Sequence, residues 1–381
     1  MVLAGFVCLA LCFVACGGSS SSGSSEVWQW ETLTRDGIAD ASVSELSFKA
    51  HGTTLYLGYN QASEGKLVYL GLNDTQWSER ARGDYSDGNS HQKTLMQINN
   101  AGDVYIAGIF PAAPTGATGS VFVNYTDRDN WEWPETVQND VLNGGQRRDR
   151  LAFDWDNTSN SMIFGYINTV ADETVMFAKR SSTVIPLFEE GGKTGVAIRY
   201  ISSSEYYMLM RDSDVNGNKA IIRYAGDGGS APMVISEDAV DHIALDAAGG
   251  KAYAAFVDTG AGNELTVIRD AANSDAASRV ELGGRGFTSG TGSISYVSIL
   301  PVNDSLVYVC YLRDSKVFVE KWNGIRWERL DQANDPDLNG ATFPVMTLMN
   351  DTLHVAFNEI EHNGSGGYIS GGATVRRWVK K

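Results

Sequence analysis

Residues 307–330 read VYVCYLRDSKVFVEKWNGIRWERL, and their spacing decides the fold class. Val307, Val309 and Tyr311 alternate with other residues along one run, as do Val317 and Val319 along the next. A period of two puts such residues on one face of an extended strand. Arg313-Asp314-Ser315 separates the two runs and Asn323-Gly324 follows the second. Asn and Gly tolerate the positive φ of tight hairpins, so a two-residue turn is expected there, with Trp327 anchoring a third strand.

The same phrase recurs on either side. LSFKAHGTTLYLGYN starts at Leu46, LMQINNAGDVYIAGIF at Leu95, LAFDWDNTSNSMIFGYI at Leu151 and AIRYISSSEYYMLMRD at Ala197. IALDAAGGKAYAAFVD starts at Ile243, VSILPVNDSLVYVCYLRD at Val297 and VMTLMNDTLHVAFNE at Val345. Each is an apolar strand, a small polar turn and a second apolar strand. A third strand follows each time, from KLVYLGL at Lys66 to ATVRRWV at Ala373. Successive starts lie 46 to 56 residues apart, the length of a four-stranded propeller blade rather than of a shorter solenoid repeat.

Fourth strands are expected at QWSERA (Gln76), WEWPETV (Trp131) and RWERL (Arg326), with weaker versions VIPLF, MVIS and RVEL. No fourth strand follows the last repeat, and VWQWETL at Val27 has the right composition to supply it. The expected architecture is therefore all-β: a seven-bladed β-propeller of four-stranded blades, closed by the N-terminal strand completing the last blade. Such a closure leaves no unpaired edge at the seam. It occupies residues 26–381 as a single domain, since no linker appears after Ser25. The phrase resembles the kelch-like and sialidase-like propeller repeats of secreted bacterial proteins, with Trp near the start of the outer strand. Neither a recurrent kelch double glycine nor a Ser-x-Asp-x-Gly-x-x-Trp box occurs, so no family function transfers with the pattern.

Composition bounds the partners. A hydrophobic fraction of 43% supports a packed core, and a net charge of −16 argues against a nucleic-acid partner, which is held through Lys and Arg. Residues 1–16, MVLAGFVCLALCFVAC, form an apolar run suited to a secretory leader. Phe13-Val14-Ala15-Cys16 resembles the lipobox of bacterial lipoproteins, with Phe13 where Leu is usual. The resemblance implies Cys16 as the lipid-attachment site and an outer-membrane lipoprotein of the cell envelope, facing the periplasm or the cell surface. Residues 17–25, GGSSSSGSS, read as a flexible tether. Cys310, inside a strand, is expected to be a small buried hydrophobe.

Candidate chemistry is sparse. Five His residues include no pair at zinc spacing. Asp212, Asp214 and Asn216, ahead of Gly217, resemble the opening of a calcium loop, with oxygen ligands at alternate positions; Arg223 then stands where a bidentate acid is needed. An Asx-rich turn accounts for the same residues, so calcium stays open and no other cofactor is expected. No catalytic residue can be nominated: there is no Gly-x-Ser-x-Gly elbow. Asp154, Asp156 and Asp246 end or follow first strands, which in propellers line the central channel. Trp28, Trp30, Trp77, Trp131, Trp133, Trp322, Trp327 and Trp378 fall at outer-strand positions suited to packing between blades or to stacking on sugars, while Trp155 ends an inner strand. Arg147, Arg148 and Arg150 form one basic loop.

The reading that follows is a lipid-anchored extracytoplasmic propeller acting as a binding or scaffolding module for a protein or glycan. Its contacts are expected from loops Pro111–Gly119, Asn139–Arg150 and Glu361–Gly372. The alternative is a carbohydrate-active enzyme, a glycoside hydrolase or polysaccharide lyase, with its site at the channel mouth.

Overall fold

The computed structural model describes residues 27–36, 38, 43–61, 64–80, 92–111, 118–126, 135–142, 151–156, 161–168, 174–180, 184–202, 205–213, 217–224, 231–333, 340–362 and 368–381. The leader, Cys16 and the tether lie outside them, as do Trp131, Trp133, the basic loop, and the central parts of the three loops expected to make contacts.

The described chain is almost entirely antiparallel β, and a single helical turn, Ala276–Ser278, interrupts it. The first repeat contributes β2 (Val43–His51), β3 (Thr54–Gln61), β4 (Glu64–Gly71) and β5 (Ser78–Glu79), and the second β6 (Gln92–Ile98), β7 (Val104–Pro111), β8 (Thr118–Thr126) and β9 (Glu135–Leu142). The third gives β10 (Leu151–Asp156), β11 (Ser161–Asn168), β12 (Thr174–Arg180) and β13 (Val184–Glu190). The fourth gives β14 (Lys193–Ser202), β15 (Glu205–Asp212) and β16 (Lys219–Tyr224), followed by the long β17 (Met233–Ala248). β18 (Lys251–Asp258), β19 (Glu264–Arg269) and β20 (Val280–Glu281) complete the fifth. The sixth holds β21 (Ile294–Asn303), β22 (Leu306–Arg313), β23 (Lys316–Trp322) and β24 (Trp327–Gln332); the last holds β25 (Ala341–Met349), β26 (Thr352–His362) and β27 (Tyr368–Lys380).

The N-terminal β1 (Trp28–Thr32) pairs antiparallel with β27, Trp30 opposite Trp378, as the outer strand of the last repeat's sheet. The seven repeats do not form seven separate sheets. β17 is one continuous strand that ends the fourth repeat and begins the fifth, and Val141 of β9 pairs with Asn168 of β11, so five hydrogen-bonded sheets result. The first strand of each repeat lies against that of the next, and β25 lies against β2.

Three details differ from the sequence expectation. The outer strand of the second repeat is Glu135–Leu142, later than Trp131, and it takes up 139–142 that were expected in a loop; 368–372 are likewise in β27. The connection at Asn323-Gly324 has four residues, with Trp322 opposite Trp327. Asn323 Oδ1 accepts from the amides of Ile325 and Arg326, so its side chain closes the turn and the residue needs no positive φ. The true two-residue hairpin is one turn earlier: Asp314 (φ 50°) and Ser315 (φ 61°) join β22 to β23, a geometry whose twist matches that of the strands.

The inner strands carry a repeated bulge. Glu45, Lys93, His242, Tyr296 and Phe343, none of them glycine, have φ between 40° and 61°. Each sits where the pairing register shifts, near the start of β2, β6, β21 or β25 and, for His242, where β17 begins to pair with β18. A bulge bends its strand and increases its twist, at about 1–2 kcal/mol for a non-glycine residue in the left-handed region. That cost is offset by packing between sheets. Six apolar clusters lie between or span neighbouring repeats, such as Leu265, Val267, Val297, Val309 and Tyr311 between the fifth and sixth.

The tryptophans bridge repeats. Trp77 Nε1 donates to Thr34 O (3.0 Å), Trp327 Nε1 to Leu282 O (2.6 Å) and Trp30 Nε1 to Leu330 O (3.2 Å). In all three the outer strand reaches the preceding repeat. Cys310 is a wholly buried thiol in β22.

Candidate functional site

The first strands surround a cavity of about 390 Å³, to which all seven repeats contribute side chains, among them Ser47, Leu95, Ala152, Ala197, Ala244, Ser298 and Val345. Where the first strands finish, a second cavity of about 480 Å³ opens toward solvent. Lys49, Gln97 and Arg199 line both, so one leads into the other. The register of the bulges explains the meeting. Lys49, Gln97, Asp246 and Thr347 each stand four residues past the positive-φ residue of their strand, which brings a polar side chain from several repeats to one level.

Arg199 on β14 is the hub. Its Nη1 donates to Asp154 Oδ1 on β10 (2.8 Å) and its Nε to Asp246 Oδ1 on β17 (2.6 Å). Asp154 Oδ2 also accepts from the Tyr200 amide (2.8 Å), and Asp246 Oδ1 from the Ala247 amide (2.8 Å). Burial pushes the Asp154 carboxyl above the usual carboxylate range, further than Arg199 and the amides pull it back. Burial also works against the Arg199 charge, but the two carboxylates outweigh it and hold the guanidinium ionised. Lys49 is half-buried opposite this triad; burial and the like charge of Arg199 lower its pKa despite Asp246 and Asp154. Among the described residues no hydrogen bond or ion pair reaches its Nζ.

The wall beside the triad is aromatic. Trp155 stacks on Tyr105 with ring centroids 4.1 Å apart, and its Nε1 is buried without a partner. Tyr200 Oη is buried and unpartnered too. An unmet buried donor costs about 1–3 kcal/mol. His51 and Asp156 complete the rim.

Of the acids singled out in the sequence, Asp154, Asp156 and Asp246 are brought to this mouth. Asp212 is not: it is buried at the end of β15, at the opposite end of the inner strands, 3.4 Å from Lys193 Nζ. Asp214 and Asn216 lie outside the described residues. Among the described residues no three His, Cys, Asp or Glu side chains gather as metal ligands would, and no helix is long and apolar enough to cross a membrane. Sequence reading missed Lys49, Gln97, Arg199 and Tyr200. The signal that identifies Lys49 and Gln97 is their common offset from the bulge, which needs the bulge to be located first; Arg199 and Tyr200, on β14, carry no such mark.

No protein-family model matches the chain, and no curated protein matches it. Solved structures do. The β-propeller domain of the trilobed protease from Pyrococcus furiosus superposes with a TM-score of 0.52 at 10% identity, over 87% of this chain and 97% of that one. The polysaccharide lyase Uly1 gives 0.51 at 9% identity, over 91% of each chain. Prolyl oligopeptidase B from Galerina marginata gives 0.50 at 12%, over 87% of this chain and 51% of that one. At such identities the likeness carries the fold, a β-propeller, and nothing about activity.

Proposed function

We propose that this chain is a seven-bladed β-propeller, closed by β1 as the outer strand of its last blade, that binds a glycan at the mouth of its central channel. The blade count is supported by the seven first strands that succeed one another around the cavity, and the closure by the β1–β27 pairing and the contact of β25 with β2. We further propose that it is a lipoprotein of the bacterial cell envelope, held at the membrane by acylated Cys16. Labelled fatty acid enters the wild-type chain and not Cys16→Ser; incorporation into Cys16→Ser refutes the anchor.

The observation that carries the glycan reading is the mouth itself, where Lys49, Arg199, Asp154 and Asp246 from four blades meet beside Trp155 and Tyr200. A concave site with convergent charged groups and aromatic faces suits a polyhydroxylated chain end. A globular partner needs a broad, flatter surface instead. That one propeller of similar fold is a polysaccharide lyase agrees with a carbohydrate role, although the reading rests on this chain's own side chains. A glycan array probed with the folded chain tests it, followed by calorimetry on Trp155→Phe, which keeps the ring stack and removes the N–H. Binding weakened by Trp155→Phe supports the mouth; binding that ignores it, or an array without hits, defeats the reading.

Binding is favoured over hydrolysis for a specific reason. A glycosidase needs two carboxylates acting separately on either side of the sugar, whereas of the three at this mouth Asp154 and Asp246 are joined through one guanidinium, which leaves Asp156 without an independent second acid. Catalysis by elimination has candidate bases in the Lys49 amine and the His51 imidazole at the rim. Incubating array hits with the protein and assaying unsaturated and reducing ends decides this: products formed by wild type and not by Lys49→Met replace the binding reading.

A further inference from the structure

We propose that the glycan taken at the mouth is acidic, with one monoanionic substituent, a sugar carboxylate or a sulfate ester, seated against Lys49 Nζ; this rests on the glycan reading above and specifies its ligand class. The inference starts from an imbalance among the charges of the mouth. Arg199 is used twice, by Asp154 and by Asp246. Both carboxylates also accept backbone amides. Lys49, which faces the same space, is the cation left without a contact: it feels Arg199, Asp246 and Asp154 at a distance, and no described residue reaches its Nζ.

A half-buried ammonium without a contact is costly for the free protein, because desolvation and the neighbouring guanidinium both oppose its charge. An anion brought in by a ligand reverses that balance. It supplies the missing acceptor and turns a cost of the empty mouth into attraction for one kind of ligand. The rest of the mouth sets the limit on that anion. Asp154, Asp156 and Asp246 stand around it, so each negative charge on the ligand is opposed, and a dianionic phosphate is opposed about twice as strongly as a single delocalised negative charge.

The test uses the whole folded chain and four probes: an oligouronate, the same oligosaccharide with its carboxylates reduced to alcohols, a sulfated galactan oligosaccharide, and its desulfated form. Calorimetry at low and moderate salt is expected to show binding of one acidic probe, loss of that binding when its anion is removed, and weakening with salt. Which of the two acidic probes binds identifies the substituent. Lys49→Met is expected to weaken that binding about 10- to 100-fold, as loss of a charge-assisted hydrogen bond does, while Lys49→Arg retains most of it. Because Lys49 opposes folding, the melting temperature of Lys49→Met is expected to be equal or higher, so the loss is one of recognition. Equal binding of acidic and neutral forms, or unchanged binding by Lys49→Met, overturns the acidic class and leaves a neutral glycan site standing. Binding of none of the four, together with an empty glycan array, overturns both.

Discussion

The two ends of the channel are built from the same side chains to opposite effect. Where the inner strands begin, Lys93 faces Glu45, Lys193 faces Asp212, Arg211 faces Asp241, Arg285 faces Asp258, and Arg313 faces Glu264. Each of these cations meets at least one carboxylate, and Arg285 reaches Glu237 and Asp238 as well. Where the inner strands finish, one guanidinium serves two carboxylates and the remaining cation, Lys49, meets no contact partner among the described residues. The difference teaches how to separate structural charge from functional charge in a symmetric scaffold. A buried charge that is fully answered contributes to one specific arrangement; a charge left over persists only if something outside the chain answers it.

The sharpest break of that comparison is Arg313→Met. Arg313 is 6% exposed, donates to Ser289 O (2.6 Å) and pairs with Glu264. Its loss is expected to cost about 3–5 kcal/mol in chemical denaturation by stranding Glu264, with the affinity of any mouth ligand unchanged. Arg199→Met, at the other end, strands Asp154 and Asp246 and is expected to cost about 3 kcal/mol, somewhat less because Arg199 is 24% exposed. Unlike Arg313→Met, it also abolishes binding. If both variants leave binding alone, the mouth is not the site.

His354 supplies a titration that belongs to neither end. It is 2% exposed on β26 near the β1–β27 seam, donates from Nδ1 to the Thr352 carbonyl (3.0 Å), and burial holds its pKa at about 4. The unfolded chain then binds the extra proton below about pH 6.5 and the folded chain only near pH 4. Stability is therefore full above pH 6.5 and falls by up to about 3 kcal/mol as the pH drops to 4. His354→Leu is expected to flatten this part of the curve in denaturation melts at stepped pH. Lys49 gives the smallest effect, with the same sign but at higher pH. Its folded pKa lies below its unfolded value, so stability rises as the pH climbs toward 10.5, and Lys49→Met removes that rise. At neutral pH the variant is expected to gain about 1 kcal/mol or less. A loss of stability there breaks the contrast between the two ends.

The sequence showed the sheet pattern because hydrophobic alternation and turn residues are local. It showed the β1–β27 pairing because Trp28, Trp30 and Trp378 carry a recognisable outer-strand composition. The positions of Asp154, Asp156 and Asp246 were legible for the same reason, since each ends a strand whose direction was known. Lys49 and Arg199 were not, because FKAH and IRYI read as ordinary alternation in half-exposed strands. The bulge at Glu45 sets the level of Lys49, and its counterparts set those of Gln97 and Asp246, while Arg199 reaches the same mouth from β14 without one. No glycine marks those bulges, as the strain is absorbed by packing between sheets that lies far apart in sequence. The Asn323 turn misled in a different way: an Asx hydrogen bond and a positive φ are two solutions open to the same residue.

The pairing of Trp28–Thr32 with Arg376–Lys380 bears on how the molecule comes into being. On a ribosome the segment made earliest among the described strands must wait for the one made last, more than three hundred residues later. Until then it is a bare ribbon carrying two indoles, open to the wrong neighbours. This pairing is thus a late event, and a chain cut short by a single C-terminal strand loses the partner of its beginning as well as its end.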